Sequence, residues 1–246
     1  MQDLVQQVNL PQAITTALAD HFDSRGRLIV RSSANCEDLE EFAGAGLYES
    51  VANVALPEIT PAIRKVWASL WTRRATLSRR EAGIAHAQAH MAVLIQRMLA
   101  PDYSFVVHTA NPLNGNSGEV YIELVVGLGE TLVSASARGT PYRFVCDKAS
   151  GAVTTLAFAD FSCALECAPA GGHQHRTVNY SKVELSFNAA ARNTLIQRLG
   201  RIAGRVEKQF QKPQDIEGCV VGSEIYLVQS RPQQGLAQQG EESRPP

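Results

Sequence analysis

Gln214-Asp-Ile-Glu-Gly-Cys-Val-Val-Gly-Ser-Glu-Ile-Tyr-Leu-Val-Gln-Ser-Arg-Pro-Gln233 is the stretch on which the fold reading turns. Two β-rich runs flank Gly222-Ser223, which reads as a hairpin. Strand side chains alternate faces, so Asp215 and Glu217 share one side, and Ile225, Leu227, Gln229 and Arg231 share one side of the partner strand. Whether those sides coincide depends on the turn. A two-residue Gly222-Ser223 turn pairs Val221 with Glu224, sets Glu217 opposite Val228, and throws the two polar sets onto opposite faces. An odd loop, such as Gly222-Ser223-Glu224, pairs Glu217 with Gln229 and Asp215 with Arg231. The odd-loop register is the expectation that the backbone can refute.

In that register one face holds two carboxylates, an amide and a guanidinium on an otherwise apolar hairpin. Such a face suits a nucleoside triphosphate held with magnesium. A carboxylate and an amide oxygen ligate the hard ion, and a guanidinium fork grips phosphate oxygens. The plainer alternative is a surface hairpin with a solvated salt bridge.

Together with Arg31-Ser-Ser-Ala-Asn-Cys-Glu-Asp-Leu39, this stretch resembles the nucleotide-binding domain of the dikinase family. That family includes pyruvate phosphate dikinase, phosphoenolpyruvate synthase and the plastid glucan water dikinases. The resemblance covers residues 28–233 and implies an α/β (α+β) fold, ATP-grasp-like, over residues 1–233, with a disordered tail over 234–246. The domain is expected to be N-terminally incomplete. Family members begin it with a glycine-lysine segment whose lysine reaches the phosphates, and nothing before Arg31 supplies one. Their phosphohistidine and starch-binding domains are not found in this sequence either.

Composition bounds the reading without deciding it. With 246 residues, 45% of them hydrophobic, the chain can bury a substantial core as one large domain or two lobes. A net charge of −1 gives no bulk electrostatic case for nucleic acid or an anionic membrane. No apolar run approaches membrane-spanning length, and residues 1–10 lack the layout of a secretory signal or transit peptide. The five scattered cysteines suggest reduced thiols in a cytosol-like compartment.

In chain order, residues 1–26 read as a short helix and a turn, and Leu28-Ile-Val30 as a buried strand running into Arg31. A charged residue ending an apolar strand projects into whatever cleft the sheet edge lines. The bland reading has Arg31 starting a loop and Asn35 capping a helix, with Glu37 and Asp38 in its first turn. Gly44-Ala-Gly-Leu-Tyr-Glu-Ser50 is a weak glycine signal by itself, yet it looks like the family's lid in this position. Residues 59–83 read as one helix with an apolar stripe and a basic face that includes Arg79, read as solvated, with a face for a polyanionic partner as the alternative. Strands follow at Met91–Leu99, Ser104–Pro112, Glu119–Val126, Arg138–Arg143 and Ala152–Phe158. Residues 168–175 read as a flexible insert in which His173 and His175 lack a third metal ligand, and residues 188–211 as a long amphipathic helix. His108, amid valines on a strand, is expected to be a satisfied, partly buried histidine and not a phosphorylated one.

The resemblance implies roles that the residues alone do not fix. Arg31 and Arg231 would contact the ATP phosphates catalytically, Glu217 and Gln229 would hold Mg2+, and Asp215 would support the metal or orient an arginine. The backbone from Gln96 to Met98 would meet the adenine edge, and Glu130, in Gly127-Leu-Gly-Glu130, a ribose hydroxyl. Val66-Trp-Ala-Ser-Leu-Trp-Thr-Arg-Arg-Ala75 resembles the glucan dikinase branch, and Arg138-Gly-Thr-Pro with Leu156-Ala-Phe-Ala-Asp-Phe161 its phosphoglucan, water dikinases. That branch implies ATP, water and a phosphorylated α-glucan (starch) as substrates, a phosphohistidine domain as partner, and the plastid stroma. Two alternatives stay open: a pyruvate or phosphoenolpyruvate dikinase fragment, and a non-catalytic ATP-binding module.

Overall fold

The computed structural model describes residues 1–36, 38–39, 42–43, 46–133 and 138–236. The chain forms two compact units, Met1–Leu99 with Cys167–Gln174, and Ala100–Glu166 with His175–Pro246.

In the first unit, helices α1 (Gln2–Gln6) and α2 (Gln12–His21) precede strand β1 (Arg27–Ala34). The two-residue strands β2 (Asp38–Leu39) and β3 (Phe42–Ala43) lead to β4 (Val51–Ala55), and then come helices α3 (Ile59–Ser69) and α4 (Arg73–Glu81) and strand β5 (Met91–Arg97). The main sheet is antiparallel, in the order β4-β1-β5. Strand alternation turns Leu28 and Val30 toward α3, where they are buried with Ile59, Ile63 and Val66. Ile29, Arg31 and Ser33 therefore take the opposite face.

Several expectations change here. Arg31 stands inside β1, opposite Leu94, because β5 continues to pair with β1 as far as Ala34 and Met91. Asn35 caps no helix among the described residues. Its Oδ1 accepts from the His90 N–H at 2.8 Å and its Nδ2 donates to the Gln88 carbonyl at 2.9 Å, tying the end of β1 to the loop before β5. The helix expected over 59–83 is two helices, since Thr72 turns extended and caps α4 by accepting from the Ala75 N–H at 3.2 Å. That break re-aims α4 and buries Arg79 completely, 5.7 Å over the Trp71 ring, with no hydrogen-bond partner among the described residues. Of the glycine loop, Gly44 and Ala45 lie outside the described residues, as does Glu37. Tyr48 is buried beside Cys36, whose Sγ is 3.3 Å from its hydroxyl; burial first, then that contact, push the phenol up to about 12.

The second unit opens with β6 (Tyr103–His108), β7 (Glu119–Val126), the single turn α5 (Glu130–Val133), β8 (Tyr142–Asp147) and β9 (Val153–Ala157). A ribbon of β10 (Cys163–Cys167) and β11 (His173–Thr177) follows, its tip counted with the first unit. Helices α6 (Glu184–Phe187) and α7 (Ala189–Phe210) then lead into β12 (Gln214–Val221) and β13 (Glu224–Pro232). Six strands form one antiparallel sheet, β13-β12-β6-β7-β8-β9. Helix α7, N-capped by the Asn188 side chain, packs Ile196, Leu199 and Ala203 against Val107, Ile122, Phe144 and Ile216. Each large aliphatic side chain so buried contributes roughly 1.5–3 kcal/mol.

Two sequence readings move in this unit. β8 starts at Tyr142, not at Arg138, because Pro141 has no N–H for a ladder with β7. Residues 168–175, expected to be a flexible insert, contribute to the β10-β11 ribbon, whose turn closes by the Ala168 N–H to the Gly172 carbonyl at 3.1 Å. Of the expected tail, residues 237–246 lie outside the described residues. No helix among the described residues is long and apolar enough to cross a membrane.

Candidate nucleotide site

The β12-β13 hairpin carries the expected pairing by an unexpected route. The turn is the two-residue one, with Val221 opposite Glu224 and a positive φ at Gly222 but not at Ser223, as a type II′ turn has. The ladder then runs Val220↔Ile225, Cys219↔Tyr226 and Gly218↔Leu227 before it slips by one residue. Val228 is the extra residue of a β-bulge, and beyond it Glu217 faces Gln229 and Asp215 faces Arg231. The expected odd loop is absent, and the expected pairs form because the bulge shifts the ladder by one residue. Gly218 permits this, since a Cβ there would lie 2.3 Å from Phe105 Cζ and 2.4 Å from the Tyr226 carbonyl oxygen.

The opposed pairs belong to two rows running across the sheet. One row is Arg231, Asp215, His108 and Tyr121; the other is Gln229, Glu217, Val106, Glu123 and Arg143. Both rows look away from α7, because the intervening row of Ile216, Val107, Ile122 and Phe144 is buried in the core. In the first row the Asp215 carboxylate is 11% exposed; its Oδ1 lies 2.6 Å from His108 Nδ1 and its Oδ2 3.7 Å from Arg231 Nε. In the second, Arg143 Nε and the Tyr121 hydroxyl both donate to Glu123 Oε1, at 2.8 and 3.1 Å. That bond to Glu123 raises the Arg143 pKa, while burial, reinforced by the Glu123 charge, pushes the Tyr121 phenol up to about 12.

Side-chain clamps fix the strand ends beside these rows. The Gln233 amide bonds the backbone of Ala110 both ways, accepting from its N–H at 3.0 Å and donating to its carbonyl at 2.9 Å. The buried Gln214 accepts from Ser230 Oγ at 3.0 Å, and its own N–H donates to Thr109 Oγ1 at 2.8 Å. β6, β12 and β13 are thus locked in register where Asp215 and Arg231 stand.

Glu217 and Gln229 are half-buried and present a carboxylate and a carboxamide oxygen from opposed positions, a donor set that suits magnesium. No group of three or more His, Cys, Asp or Glu side chains placed to hold a metal occurs among the described residues. Magnesium does not require one, because it keeps several waters and phosphate oxygens and takes only one or two carboxylates. Glu130 starts α5, just past β7, in the same unit but in neither row.

The remaining site residues of the sequence reading, Arg31, Gln96 and Met98, lie in the first unit. Arg31 and Gln96 share the face of its sheet away from α3, since Gln96 faces Ile29. The Met98 N–H donates to the Arg27 carbonyl at 2.8 Å, continuing the ladder. By antiparallel alternation Gln96 also turns its backbone groups inward, so β5, an edge strand, offers those of Arg97 outward. Sequence reasoning missed Arg97, His108 as an Asp215 partner, and the Glu123-Arg143 pair, none of which a motif marks.

Residues 1–245 match the model of the family described as "Pyruvate phosphate dikinase, AMP/ATP-binding domain". A rifampicin phosphotransferase of Bacillus cereus is 33% identical over 236 residues, 94% of this chain and 26% of that protein. The chloroplastic alpha-glucan water dikinase of Solanum tuberosum is 34% identical over 199 residues, 70% of this chain and 14% of that protein. A probable phosphoenolpyruvate synthase of Pyrococcus horikoshii is 28% identical over 246 residues, 94% of this chain and 30% of that protein. The chain thus spans less than a third of the length of each of these three relatives.

Proposed function

Because this chain belongs to the family of pyruvate phosphate dikinase AMP/ATP-binding domains, we propose that the polar rows of its second unit receive the phosphates of ATP with magnesium. ATP binding is the property of the family; its assignment to these rows rests on the bulge-set register opposing Glu217 to Gln229 and Asp215 to Arg231. Glu217 and Gln229 would hold the ion through hard oxygen donors, and the bound ion supplies charge neutralisation at the phosphates. Arg231 grips phosphate oxygens, and Asp215 orients Arg231. Glu130, which starts α5 in the same unit, would meet a ribose hydroxyl. Phosphoryl transfer asks little covalent chemistry of the protein, so positioning and charge are its contribution.

For the acceptor we propose a phosphorylated α-glucan, reached through a phosphohistidine domain on another segment or chain. The β-phosphate of ATP passes to a histidine nitrogen and then to a glucosyl hydroxyl, water takes the γ-phosphate as orthophosphate, and AMP leaves. The wording of residues 66–75, 138–141 and 156–161 supports this branch, and a plastid setting goes with it. A second reading, with a rifampicin-like acceptor, draws on a relative of similar identity that matches more of this chain.

Titration calorimetry tests the site. The wild-type chain is expected to bind ATP with magnesium, and Glu217→Gln to weaken that binding about a hundredfold at unchanged melting temperature. Unchanged affinity, or loss of folding, removes the assignment. The acceptor is tested with ATP labelled at the β-phosphate, a phosphohistidine domain supplied in trans, and either phosphorylated amylopectin or rifampicin. Label in the glucan supports the first reading, and label in rifampicin replaces it.

A further inference from the structure

Asp215 divides its two oxygens between different strands. Oδ1 is taken by His108 Nδ1 on β6 at 2.6 Å, and Oδ2 approaches Arg231 on β13 only at 3.7 Å and through Nε. An ionised carboxylate only accepts, so the short contact places a proton on Nδ1 of the imidazole. Tyr121 on β7 closes the other side of the ring, centroid to centroid at 5.9 Å, and the His108 side chain is 23% exposed. A carboxylate with both oxygens available to a neighbouring guanidinium tends to take it bidentately, through two parallel N–H bonds. Here that arrangement is not adopted: Oδ1 accepts from the histidine, and the Arg231 contact to Oδ2 is long. Arg231 meets Asp215 by its inner nitrogen, and the terminal pair, the edge that forks onto phosphate, is not spent on the carboxylate.

We propose that His108 is a positioning residue of the nucleotide site: by holding one oxygen of Asp215 it limits that carboxylate to a single loose contact with Arg231 and keeps the guanidinium fork directed at the ATP phosphates. The proposal rests on the ATP reading of the polar rows and adds to it a residue that never touches the nucleotide. Its chemical signature is selectivity. The proposal assigns the Arg231 fork to the β- and γ-phosphates, which AMP lacks, so His108 matters for ATP and not for AMP.

The experiment is calorimetry of the full chain with ATP and magnesium, and separately with AMP, on wild type and three variants. His108→Phe keeps the ring and removes the donor. His108→Asn sets an N–H near the Nδ1 position, and His108→Gln sets one farther out, near Nε2. The Phe and Gln variants are expected to bind ATP about tenfold more weakly while AMP affinity holds, and the Asn variant to stay within about threefold of wild type for both. Should the Phe variant fail to fold, the Asn and Gln pair, alike in polarity, still decides the question. Equal loss of ATP and AMP affinity, or no difference between Asn and Gln, overturns the proposal. A wild-type chain that binds no ATP with magnesium overturns instead the reading on which it rests.

Discussion

The main sheet of each unit has β-bulges on edge strands, and two of them, on β4 and on β13, do different things. In the first unit the β1-β4 ladder passes from Leu28↔Val54 to Val30↔Val51, so Ala52 and Asn53 together stand against Ile29. Asn53 takes the left-handed conformation, at φ 58°, and its buried Nδ2 donates to the Ala168 and Gly172 carbonyls at 2.6 and 2.7 Å. In the second unit the extra residue, Val228, is apolar. Its effect lies one residue further along, where it brings Gln229 and Arg231 opposite Glu217 and Asp215. One bulge uses its own side chain to anchor the tip of a ribbon. The other corrects the parity of a ladder so that two sets of polar residues stand opposite one another, as a bulge re-aims its neighbours.

The contrast breaks most sharply at Gly218. An alanine Cβ would meet Phe105 and the Tyr226 carbonyl at less than 2.5 Å, and the carbonyl, being backbone, cannot swing aside. Gly218→Ala is expected to cost about 3 kcal/mol, the upper range for overpacking, and to abolish ATP binding as the bulge is expelled. Hydrogen exchange of β6 and β12 amides measures the first effect and calorimetry the second. A tolerated alanine would mean that the ladder reaches its register some other way.

Asn53→Ala sharpens the comparison from the other side. It removes both bonds to the 168–172 turn and puts a residue that disfavours positive φ at that position, for an expected loss of about 2 kcal/mol. Trp67 and Trp71 both lie in the first unit, so tryptophan fluorescence during urea unfolding reads that loss locally. ATP-dependent heat should weaken far less than in Gly218→Ala, because the polar rows of the second unit are untouched.

These two bulges also show what the sequence could disclose. The hairpin, its polar pairs and the helix after Asn188 were legible because period-two and period-3.6 patterns persist over whole elements. The route to the hairpin register was not, since an odd loop and an even turn with one bulged residue give the same pairs. Gly218 was the available mark, a glycine inside a strand and directly before the slip. Arg31 entered as a candidate mainly through resemblance, because the residue directly opposite it, Leu94, is apolar and marks no polar pair in the sequence. His108 hid for a related reason: its partner Asp215 is over a hundred positions away, and only the β6-β12 ladder brings them together. The burial of Arg79 was illegible because it depends on how α4 leaves Thr72, not on the helical stripe.

The smallest effect at neutral pH is the one that distinguishes the units most cleanly in base. Burial is the first cause that pushes Tyr103, Tyr121 and Tyr180 of the second unit up to about 12, against Tyr48 alone in the first. A phenol whose folded pKa is raised favours the fold in its neutral form. Its contribution is fully present below the ordinary value of 10 and is lost as pH rises from there through about 12. Stability should therefore be flat in this respect up to pH 10 and then fall, with a steeper slope in the second unit, where more protons are released on unfolding. Hydrogen exchange in β6, β7 and β12, set against that in β1 and β5 between pH 10 and 12, measures the two slopes, with intrinsic exchange rates corrected for pH. Equal slopes would mean that the phenols of the polar sheet are no better shielded than Tyr48. The hydroxyl of Tyr121 donates to Glu123, so its ionisation would set two negative charges 3.1 Å apart in the second polar row. Tyr121→Phe should consequently flatten the slope of the second unit and leave that of the first unchanged.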